Sequence, residues 1–550
     1  MVEKLTSALH KQHGLKSATI LLVVTLFLSN VLGLIRNILL ASHSQSLGQL
    51  DTYYAAFRLP DLVFNILILG SISSAFIPVY TGAVKEKGDT EATKLANTLL
   101  GMLLALVFVG VIIIWFATPS IIPLLVSKFT LNQQSETIHL TRIMLLSPLF
   151  FTFSYVAGAV LNSHKRFVAY SIAPLIYNCS IIVGALLLPK YGVYGVAWAV
   201  VVGAALHFLI QVPTLASMNF HIRPRFAPAD RAVAHIISLT IPRTFSLLMV
   251  QVSLLGFTVI ASGLRPGAIT IFSLVNDLQT TPAVIFGASL ATAAFPSLSE
   301  SVAEKSPSRF QHYLHRTLRV SVFMVVPLTI LVYLLRAQIM RLYIGLGHNI
   351  GWPETVRAIQ TLTWFSFSFV AQATVFILAR SFYALQDTKR PMYASLIGTA
   401  LTLLLAVTLP LTSLFASTGP NDVASLAAAY TFGMWTQAIL LFWWLPKLWK
   451  GNLTTFFASA VRVITIGVAS GLATWLTLQF VGEGLKLDRI FDIDFNGIGT
   501  DTVLKLIIQG GLASVIGVLT FAVLARLWVM DELQWVFKVR DDQNDKTVTK

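Results

Sequence analysis

The sequence predicts an all-α polytopic membrane protein. Of its 550 residues, 55% are hydrophobic and only 11% are charged, with a mean hydropathy of +0.75, whereas soluble domains carry about a quarter charged residues. The apolar residues occur in stretches of about 20 or more, long enough for a helix to cross the hydrocarbon core of a bilayer. The alternation typical of a transmembrane β-barrel is absent from these stretches. Because backbone groups in lipid must bond internally, a bundle of helices follows.

The formal net charge is +15 and the isoelectric point is near 9.8, values that in a soluble protein would suggest nucleic-acid binding. In a membrane protein, cationic cytoplasmic loops explain this excess, so we expect no nucleic-acid partner. Cys179 is the only cysteine, which excludes an intrachain disulfide and a thiolate-rich metal site. The basic segment from Met1 to Lys16 precedes an apolar run that is too long for a signal peptide, and predicts a retained cytoplasmic end.

Apolar windows predict about fourteen transmembrane helices, which we place at roughly 18–41, 53–82, 94–117, 137–162, 167–188, 192–217, 233–262, 268–296, 315–336, 357–386, 391–414, 422–446, 457–481 and 502–528. Basic residues concentrate in alternate loops, which contain Lys85, Lys87, Lys94, Lys165, Arg166, Arg223, Arg225, Arg231, Lys305, Arg309, Arg316, Lys389, Arg390, Lys447 and Lys450. The intervening loops are poorer in Lys and Arg. This alternation predicts an even number of spans with both termini in the cytoplasm.

Several motifs are more specific than the hydropathy pattern. The first two predicted helices contain SNVLGLIRN at 29–37 and DTYYAAFRLPD at 51–61. Further motifs are AVLN at 159–162, AWA at 197–199, FPSLS at 295–299 and SFYALQDTKRP at 381–391. Together they resemble the MurJ/MviN family, the lipid II flippases of peptidoglycan synthesis within the multidrug/oligosaccharidyl-lipid/polysaccharide exporter superfamily. The resemblance covers nearly the whole chain.

The resemblance implies an architecture that composition does not provide. It implies two pseudo-symmetric six-helix lobes, 1–217 and 218–446, around a central cavity. Two additional helices in 447–530 would form a groove for a polyprenyl tail, followed by a polar cytoplasmic tail at 531–550. In such a fold, alternating access comes from rocking of the lobes.

The resemblance also implies a function. It is translocation of an undecaprenyl-pyrophosphate-linked peptidoglycan precursor, lipid II, from the inner to the outer leaflet of the bacterial cytoplasmic membrane. The expected partners are this anionic lipid-linked precursor and membrane lipids, with cell-wall synthesis proteins as further candidates. We expect no enzymatic activity, catalytic residue, metal or cofactor. No nucleotide-binding loop of the Gly-x-x-x-x-Gly-Lys-Ser/Thr type occurs in the sequence, which argues against direct use of ATP.

Arg36 lies deep in the first predicted helix, where a cation costs at least about 2.5 kcal/mol in hydrocarbon. A guanidinium group matches a pyrophosphate because it offers two parallel donors. The resemblance implies that Arg36 lines the cavity, which makes it the first candidate for phosphate binding. The alternative is an ion pair between helices, for instance with Asp51 or Asp61.

Asp51, Arg58 and Asp61 lie near one face of the second predicted helix, and Pro60 is expected to kink the helix beside them. A kinked, charged face suits a hinge that lines a cavity. The resemblance adds that Arg58 matches a basic position of the family and Asp51 an acidic one, and so implies that both belong to the gate or cavity. We predict Arg58 as a substrate contact and Asp51, Pro60 and Asp61 as gate or hinge residues. The alternatives are that Asp51 caps the second helix and that Arg58 pairs locally with Asp61.

Three further residues are candidate substrate contacts. Arg243 lies near the start of the seventh predicted helix, where it is either a second cationic contact or a surface residue that extends to the interface. Asn30 stands where the family pattern has arginine, and Asn276-Asp277 stands where part of the family has one in the eighth span. The amides of Asn30 and Asn276 still hydrogen-bond phosphate or sugar. The chain thus has fewer cavity cations than the family pattern.

Other functions stay open at this stage. One alternative is export of another polyprenyl-linked oligosaccharide, and another is drug export through a MATE-like cavity, which would favour buried acids over buried arginines. A non-transporting scaffold of the same fold is consistent with the missing cations. A membrane glycosyltransferase would need clustered carboxylates in large loops, and only the outer segment with Asp488, Asp492 and Asp494 offers any.

Overall fold

The computed structural model describes residues 15–69, 76–228, 248–346, 350–415, 419, 422–450, 454–481 and 500–537. Within these ranges the chain is helical and contains no β-strand, which confirms the predicted all-α class. In chain order, the helices are α1 (Leu15–His43), α2 (Leu47–Val63), α3 (Ile77–Leu125), α4 (Leu131–Met144), α5 (Ser147–Ser163), α6 (Phe167–Leu186), α7 (Leu188–Leu209), α8 (Val212–Ala216), α9 (Leu248–Ala261), α10 (Ala268–Ala283), α11 (Ser289–Ala303), α12 (Pro307–Tyr343), α13 (Trp352–Ser366), α14 (Phe369–Ala384), α15 (Lys389–Thr408), α16 (Ala424–Trp444), α17 (Lys447–Lys450), α18 (Thr454–Gln479), α19 (Thr500–Leu527) and α20 (Asp531–Phe537).

Most of these helices suit a membrane. Among the described residues, eleven helical segments are long and apolar enough to cross a bilayer, or twelve if α13 and α14, which bend by 40° at their junction, form one span. Large apolar side chains such as Phe27, Phe116 and Val461 are exposed along α1, α3 and α18, as expected for surfaces that contact lipid. The total of fourteen spans and the side of each terminus stay predictions.

The chain divides into two compact units. The first comprises Met1–Ser273 with Leu346–Glu354, and the second comprises Leu274–Gly345 with Thr355–Lys550. The division therefore falls within α10. The boundaries that the sequence predicts after residues 217, 446 and 530 stay predictions.

Local sequence signals explain where several helices of the first unit begin and break. The hydroxyl of Ser46 accepts a hydrogen bond from the backbone N–H of Gln49 at 3.3 Å and caps α2. A capping box between Thr130 and Gln133 starts α4. Gly88 breaks α3 with a φ of 79°, a conformation that a residue without Cβ adopts easily.

The segment after α8 runs in an extended conformation across α3. The side chain of Asn97 donates to the carbonyl of His221 at 2.9 Å and accepts from the backbone N–H of Arg223 at 2.8 Å. The backbone N–H of Arg225 donates to the carbonyl of Asn97 at 2.9 Å. Gly101 permits this approach, because a Cβ there would lie 2.3 Å from the carbonyl oxygen of Arg225.

Two charged contacts join helices of the second unit. Arg357 on α13 donates to both carboxylate oxygens of Asp422, at 2.9 and 2.8 Å, and both side chains are buried. At α20, the fully buried carboxylate of Glu532 accepts from Arg319 on α12 at 2.6 Å and from Ser459 on α18 at 2.5 Å. These contacts tie residues that are distant in sequence into one packed unit.

Candidate functional site

Arg36 is half-buried on α1, and two amide side chains contact its guanidinium group. Its Nε donates to Asn37 Oδ1 at 3.0 Å, and its Nη1 donates to Asn178 Oδ1 on α6 at 3.2 Å. An amide oxygen orients a guanidinium group without cancelling its charge, unlike a carboxylate. The two contacts therefore place a cation of α1 against α6 within an apolar helix.

Asn178 is a contact of this site that the sequence analysis missed. Its side chain is 8% exposed, and its Nδ2 donates to the Oγ and the backbone carbonyl of Ser29, at 3.2 and 3.3 Å, and to the carbonyl of Pro174 at 3.1 Å. The sequence does contain a signal for Asn178: it is a single amide inside an apolar window, and a polar residue within a membrane span is a candidate functional position.

Asp51 is buried on α2, where its carboxylate caps the N-terminus of α10. Its Oδ2 accepts from the backbone N–H of Gly267 at 2.6 Å, and its Oδ1 accepts from the backbone N–H of Thr270 at 2.9 Å and from its hydroxyl at 2.8 Å. A carboxylate is favourable there because it satisfies free N–H groups and interacts with the helix dipole. The cap of α2 itself is Ser46, so the alternative in which Asp51 caps its own helix is wrong.

Arg58 lies two turns after Asp51 on α2 and contacts two hydroxyl groups. Its Nε donates to Thr258 Oγ1 on α9, and its Nη2 donates to Ser273 Oγ on α10, both at 2.9 Å. Sequence reasoning identified Arg58 but neither partner, since isolated Ser and Thr residues are common in membrane helices. Asp51 and Arg58 together join one face of α2 to the start of α10.

Pro60 lies within α2, which continues to Val63 as an α-helix. Proline lacks the N–H group that would bond the carbonyl of Ala56, and Thr141 Oγ1 lies 3.4 Å from this carbonyl oxygen. After Asp61 the helix widens into a π-helical turn over Phe64–Leu69. Such turns often occur at functional sites, and the hinge role of Pro60 and Asp61 stays a prediction.

The remaining candidate substrate contacts are described each by itself. Asn30 on α1 has an exposed side chain. Asn276 belongs to the second unit, where its Oδ1 accepts from Gln279 Nε2 at 3.1 Å, and Gln279 Oε1 in turn accepts from Gln372 at 2.7 Å. Arg243 lies outside the described residues.

A small cavity in the first unit does not include any predicted site residue. Its volume is about 210 Å³, and it is lined by Tyr80, Asp89, Thr93, His164, Arg166, Met218 and Phe220. This volume is below the range of about 300–1,000 Å³ that is usual for small-molecule sites. We therefore take Arg36 and its amide contacts, rather than this cavity, as the candidate site.

Comparison with known proteins places the chain in a family. The family model described as "Lipid II flippase MurJ" matches residues 47–493. The lipid II flippase MurJ of Burkholderia cenocepacia is 28% identical over 485 residues, covering 84% of this chain and 91% of that protein. The probable lipid II flippase MurJ of Haemophilus influenzae is 28% identical over 487 residues, covering 84% of this chain and 92% of that protein.

Solved structures share the fold. A structure of lipid II flippase MurJ in an inward closed conformation aligns with a TM-score of 0.72 at 19% identity, covering 93% of this chain and all of that one. An inward-facing multidrug resistance MATE family transporter of the MOP superfamily aligns with a TM-score of 0.63 at 13% identity, covering 81% and 98%. Both structures share the fold, so the sequence match over most of the chain is what distinguishes the two families. The chain belongs to the MurJ lipid II flippase family.

Proposed function

We propose that this protein is a flippase that moves lipid II from the inner to the outer leaflet of the cytoplasmic membrane by alternating access. The observation that carries the proposal is the position of Arg36. A guanidinium group lies inside an apolar helix, in contact with the amides of Asn37 and Asn178, in a chain whose relatives are named lipid II flippases.

A pyrophosphate is the ligand that best fits this arrangement. A cation within a membrane helix is unfavourable by at least about 2.5 kcal/mol and normally faces a partner or a water-filled cavity. A phosphate group of a substrate is such a partner. Guanidinium forms charge-assisted bonds with two phosphate oxygens at once. The lipid part of the substrate stays in the bilayer, so only its anionic head group requires a polar path.

The contacts of Asp51 argue against its use as a binding site for cationic drugs. Export of such drugs needs a carboxylate that is available to a cation, but the carboxylate of Asp51 accepts three hydrogen bonds from Gly267 and Thr270. We propose instead that Asp51 holds α2 against the start of α10 as a gate contact. Transport would then require these bonds to break and re-form in each cycle.

We also propose that the helices after residue 446 hold the polyprenyl tail. The two long helices of this part, α18 and α19, have exposed apolar side chains. Examples are Leu472 and Leu476 on α18 and Val515 and Leu519 on α19. An undecaprenyl chain is long and apolar, so such a surface suits it. The family resemblance supports the same assignment.

Replacement of an essential flippase tests the proposal. The chain is expressed in a bacterium whose own lipid II flippase can be depleted, and viability and the exposure of lipid II on the outer leaflet are measured. We expect rescue by the wild-type chain and loss of rescue by Arg36→Ala. The matched control is Arg142→Ala, which removes another half-buried arginine of the first unit, one that stacks on Trp115 at 5.6 Å.

The outcomes separate the remaining functions. Failure of a well-expressed, membrane-inserted wild-type chain to rescue would contradict lipid II transport and would favour another polyprenyl-linked oligosaccharide or a non-transporting scaffold. Rescue that survives Arg36→Ala would support lipid II transport but would remove Arg36 from the site. Loss of rescue with both arginine variants would indicate a general need for these side chains in folding.

A further inference from the structure

We propose that Gln279 and Gln372 are positioning residues, which turn the amide of Asn276 so that it donates a hydrogen bond to an oxygen atom of the substrate head group. The inference rests on the proposed function and deepens it, because it assigns two further residues to substrate binding. Asn276 and Gln279 lie one turn apart on α10, and Gln372 lies on α14. All three belong to the second unit.

A chain of side-chain hydrogen bonds leads through the second unit to Asn276. Gln372 Nε2 donates to Ser368 Oγ and to Gln279 Oε1, both at 2.7 Å. Gln279 Nε2 donates to Asn276 Oδ1 at 3.1 Å. The phenol of Tyr430 on α16 also hydrogen-bonds Gln279, and a hydroxyl serves either end of an amide. Ser368, Gln279 and Gln372 are buried, so their polar groups depend on these bonds.

The direction of this chain is set at Ser368. Its hydroxyl has one hydrogen, which it donates to the carbonyl of Phe365 at 2.6 Å. Ser368 Oγ can therefore only accept from Gln372, which must turn its NH2 group toward the hydroxyl. The same NH2 group needs an acceptor on Gln279, and the NH2 group of Gln279 is then left to face Asn276. A flip of either glutamine would oppose two donors or two acceptors.

The last amide of the chain consequently has a fixed polarity. Its Oδ1 accepts from Gln279, and its Nδ2 makes no hydrogen bond in the part of the chain that the structure describes. Asn276 is half-buried, and its Nδ2 is not among the buried unpaired atoms of these residues, so this group is accessible. Polar groups of membrane helices face a bundle interior or a water-filled cavity. An accessible NH2 group there suits an acceptor oxygen, as phosphates and sugars both offer.

The two glutamines contribute to binding without touching the substrate. A free asparagine would present its oxygen as readily as its nitrogen, and its oxygen would repel the oxygen atoms of the head group. Fixing the amide before binding removes an entropy cost that would otherwise oppose it. Each hydrogen bond in a chain also polarises the next one, which strengthens the donor at the end.

A double-mutant cycle in lipid nanodiscs tests the proposal. Binding of lipid II is measured for the wild-type chain, Gln279→Met, Asn276→Ala and the double variant. Methionine keeps the length of glutamine but has no amide. We expect Gln279→Met to weaken binding about fivefold in the wild-type background and less than about twofold in the Asn276→Ala background, because no amide is then left to orient. A purely structural role would lower the affinity equally in both backgrounds, and that result would overturn the proposal.

The ligand then identifies the oxygen atom that Asn276 contacts. Asn276→Ala is compared for lipid II and for undecaprenyl pyrophosphate, which has the phosphates but no sugar. A loss of about fivefold with both ligands would support a contact with phosphate, and a loss with lipid II alone would support a contact with the sugar. Unchanged affinity for both ligands would overturn the proposal.

Two further variants keep the result interpretable. Gln437→Met removes another half-buried glutamine of the second unit, on α16, and we expect its affinity to stay near the wild-type value. If Gln279→Met does not accumulate in membranes, Gln372→Met replaces it, because it removes the donor that fixes Gln279. Equal losses from Gln372→Met with and without Asn276→Ala would overturn the proposal as well.

The failures of the two proposals are distinguishable. If the wild-type chain binds neither lipid II nor undecaprenyl pyrophosphate, the proposed function fails and the role of the two glutamines fails with it. If the wild-type chain binds lipid II and Gln279→Met binds it equally well, only the role of the glutamines is overturned.

Discussion

The contact between Asp51 and the start of α10 shows how one side chain can join two helices. Gly267 and Thr270 offer backbone N–H groups that have no partner within their own helix, and the carboxylate accepts both. The hydroxyl of Thr270 also lies 2.9 Å from the carbonyl oxygen of Leu47 on α2. The hydroxyl has one hydrogen and donates it either to this carbonyl or to Asp51, so the helix terminus contacts α2 at both a backbone group and a side chain.

Asp51→Ala should destabilise the protein by about 1–3 kcal/mol, because it leaves buried N–H groups of Gly267 and Thr270 without an acceptor. The measurement is the temperature of unfolding in detergent. Ser46→Ala serves as the control, since it removes an exposed cap of α2 and is expected to have a smaller effect. Equal losses in the two variants would contradict a tertiary role for Asp51.

At the residue scale, the sequence indicates which side chains matter but not what they contact. Arg36, Asp51 and Arg58 stand out because charge within an apolar window is unfavourable in a membrane. Apart from Asn37, the partners described above are an amide, hydroxyls and backbone groups that lie 142 to 219 residues away. Such groups are too frequent in any membrane helix to be selected without the fold.

The segment after α8 crosses α3 at Gly101, and this crossing depends on the absence of a Cβ at that residue. Gly101→Ala would place a Cβ 2.3 Å from a backbone atom of Arg225, and a backbone atom cannot move aside as a flexible side chain can. We expect a lower unfolding temperature and a loss of about 1–3 kcal/mol, as is typical of overpacking. Protease sensitivity of the segment should increase as well.

The same helix provides a matched control. Gly82→Ala adds a Cβ that meets no atom within 4 Å and should be neutral or stabilising by up to about 1 kcal/mol, since alanine favours a helix. If both glycine variants lose stability to the same extent, the close approach to Arg225 is not the cause.

At the element scale, hydropathy predicts where helices lie better than where they break or dock. The 40° bend between α13 and α14 falls inside one predicted span, at 357–386. The segment expected as a polar tail after residue 530 begins with α20, whose Glu532 is fully buried. Hydropathy windows miss this helix because a buried acid becomes favourable only beside partners such as Arg319 from another helix.

At the scale of the whole molecule, composition alone is enough to predict the fold class. The chain is a multi-pass protein of the bacterial cytoplasmic membrane, with eleven or twelve candidate spans among its described residues. Short motifs in the first two helices predict the family, which the match over residues 47–493 confirms. Orientation and the number of spans depend on lipid and on loop charge, so they stay predictions from the sequence.

Alternating access can be tested at the contact between α2 and the loop before α10. A Cβ built on Gly48 would lie 3.1 Å from the Cβ of Pro266, and a disulfide joins Cβ atoms about 3.5–4.5 Å apart. We expect the variant Gly48→Cys with Pro266→Cys, made together with Cys179→Ser, to form this bond with a small shift. The sequence predicts that both positions lie between spans, on the oxidising outer side of the membrane, where the bond is stable.

If α2 and the start of α10 separate in each transport cycle, the oxidised protein should fail to rescue flippase-depleted cells, and a reductant should restore rescue. Each single-cysteine variant should rescue with or without reductant. The disulfide prevents one movement and leaves Arg36 and Asn178 unchanged, so binding of undecaprenyl pyrophosphate should survive oxidation while transport stops. Transport by a fully oxidised protein would show that this contact stays closed throughout the cycle, and that Asp51 stabilises the fold without acting as a gate.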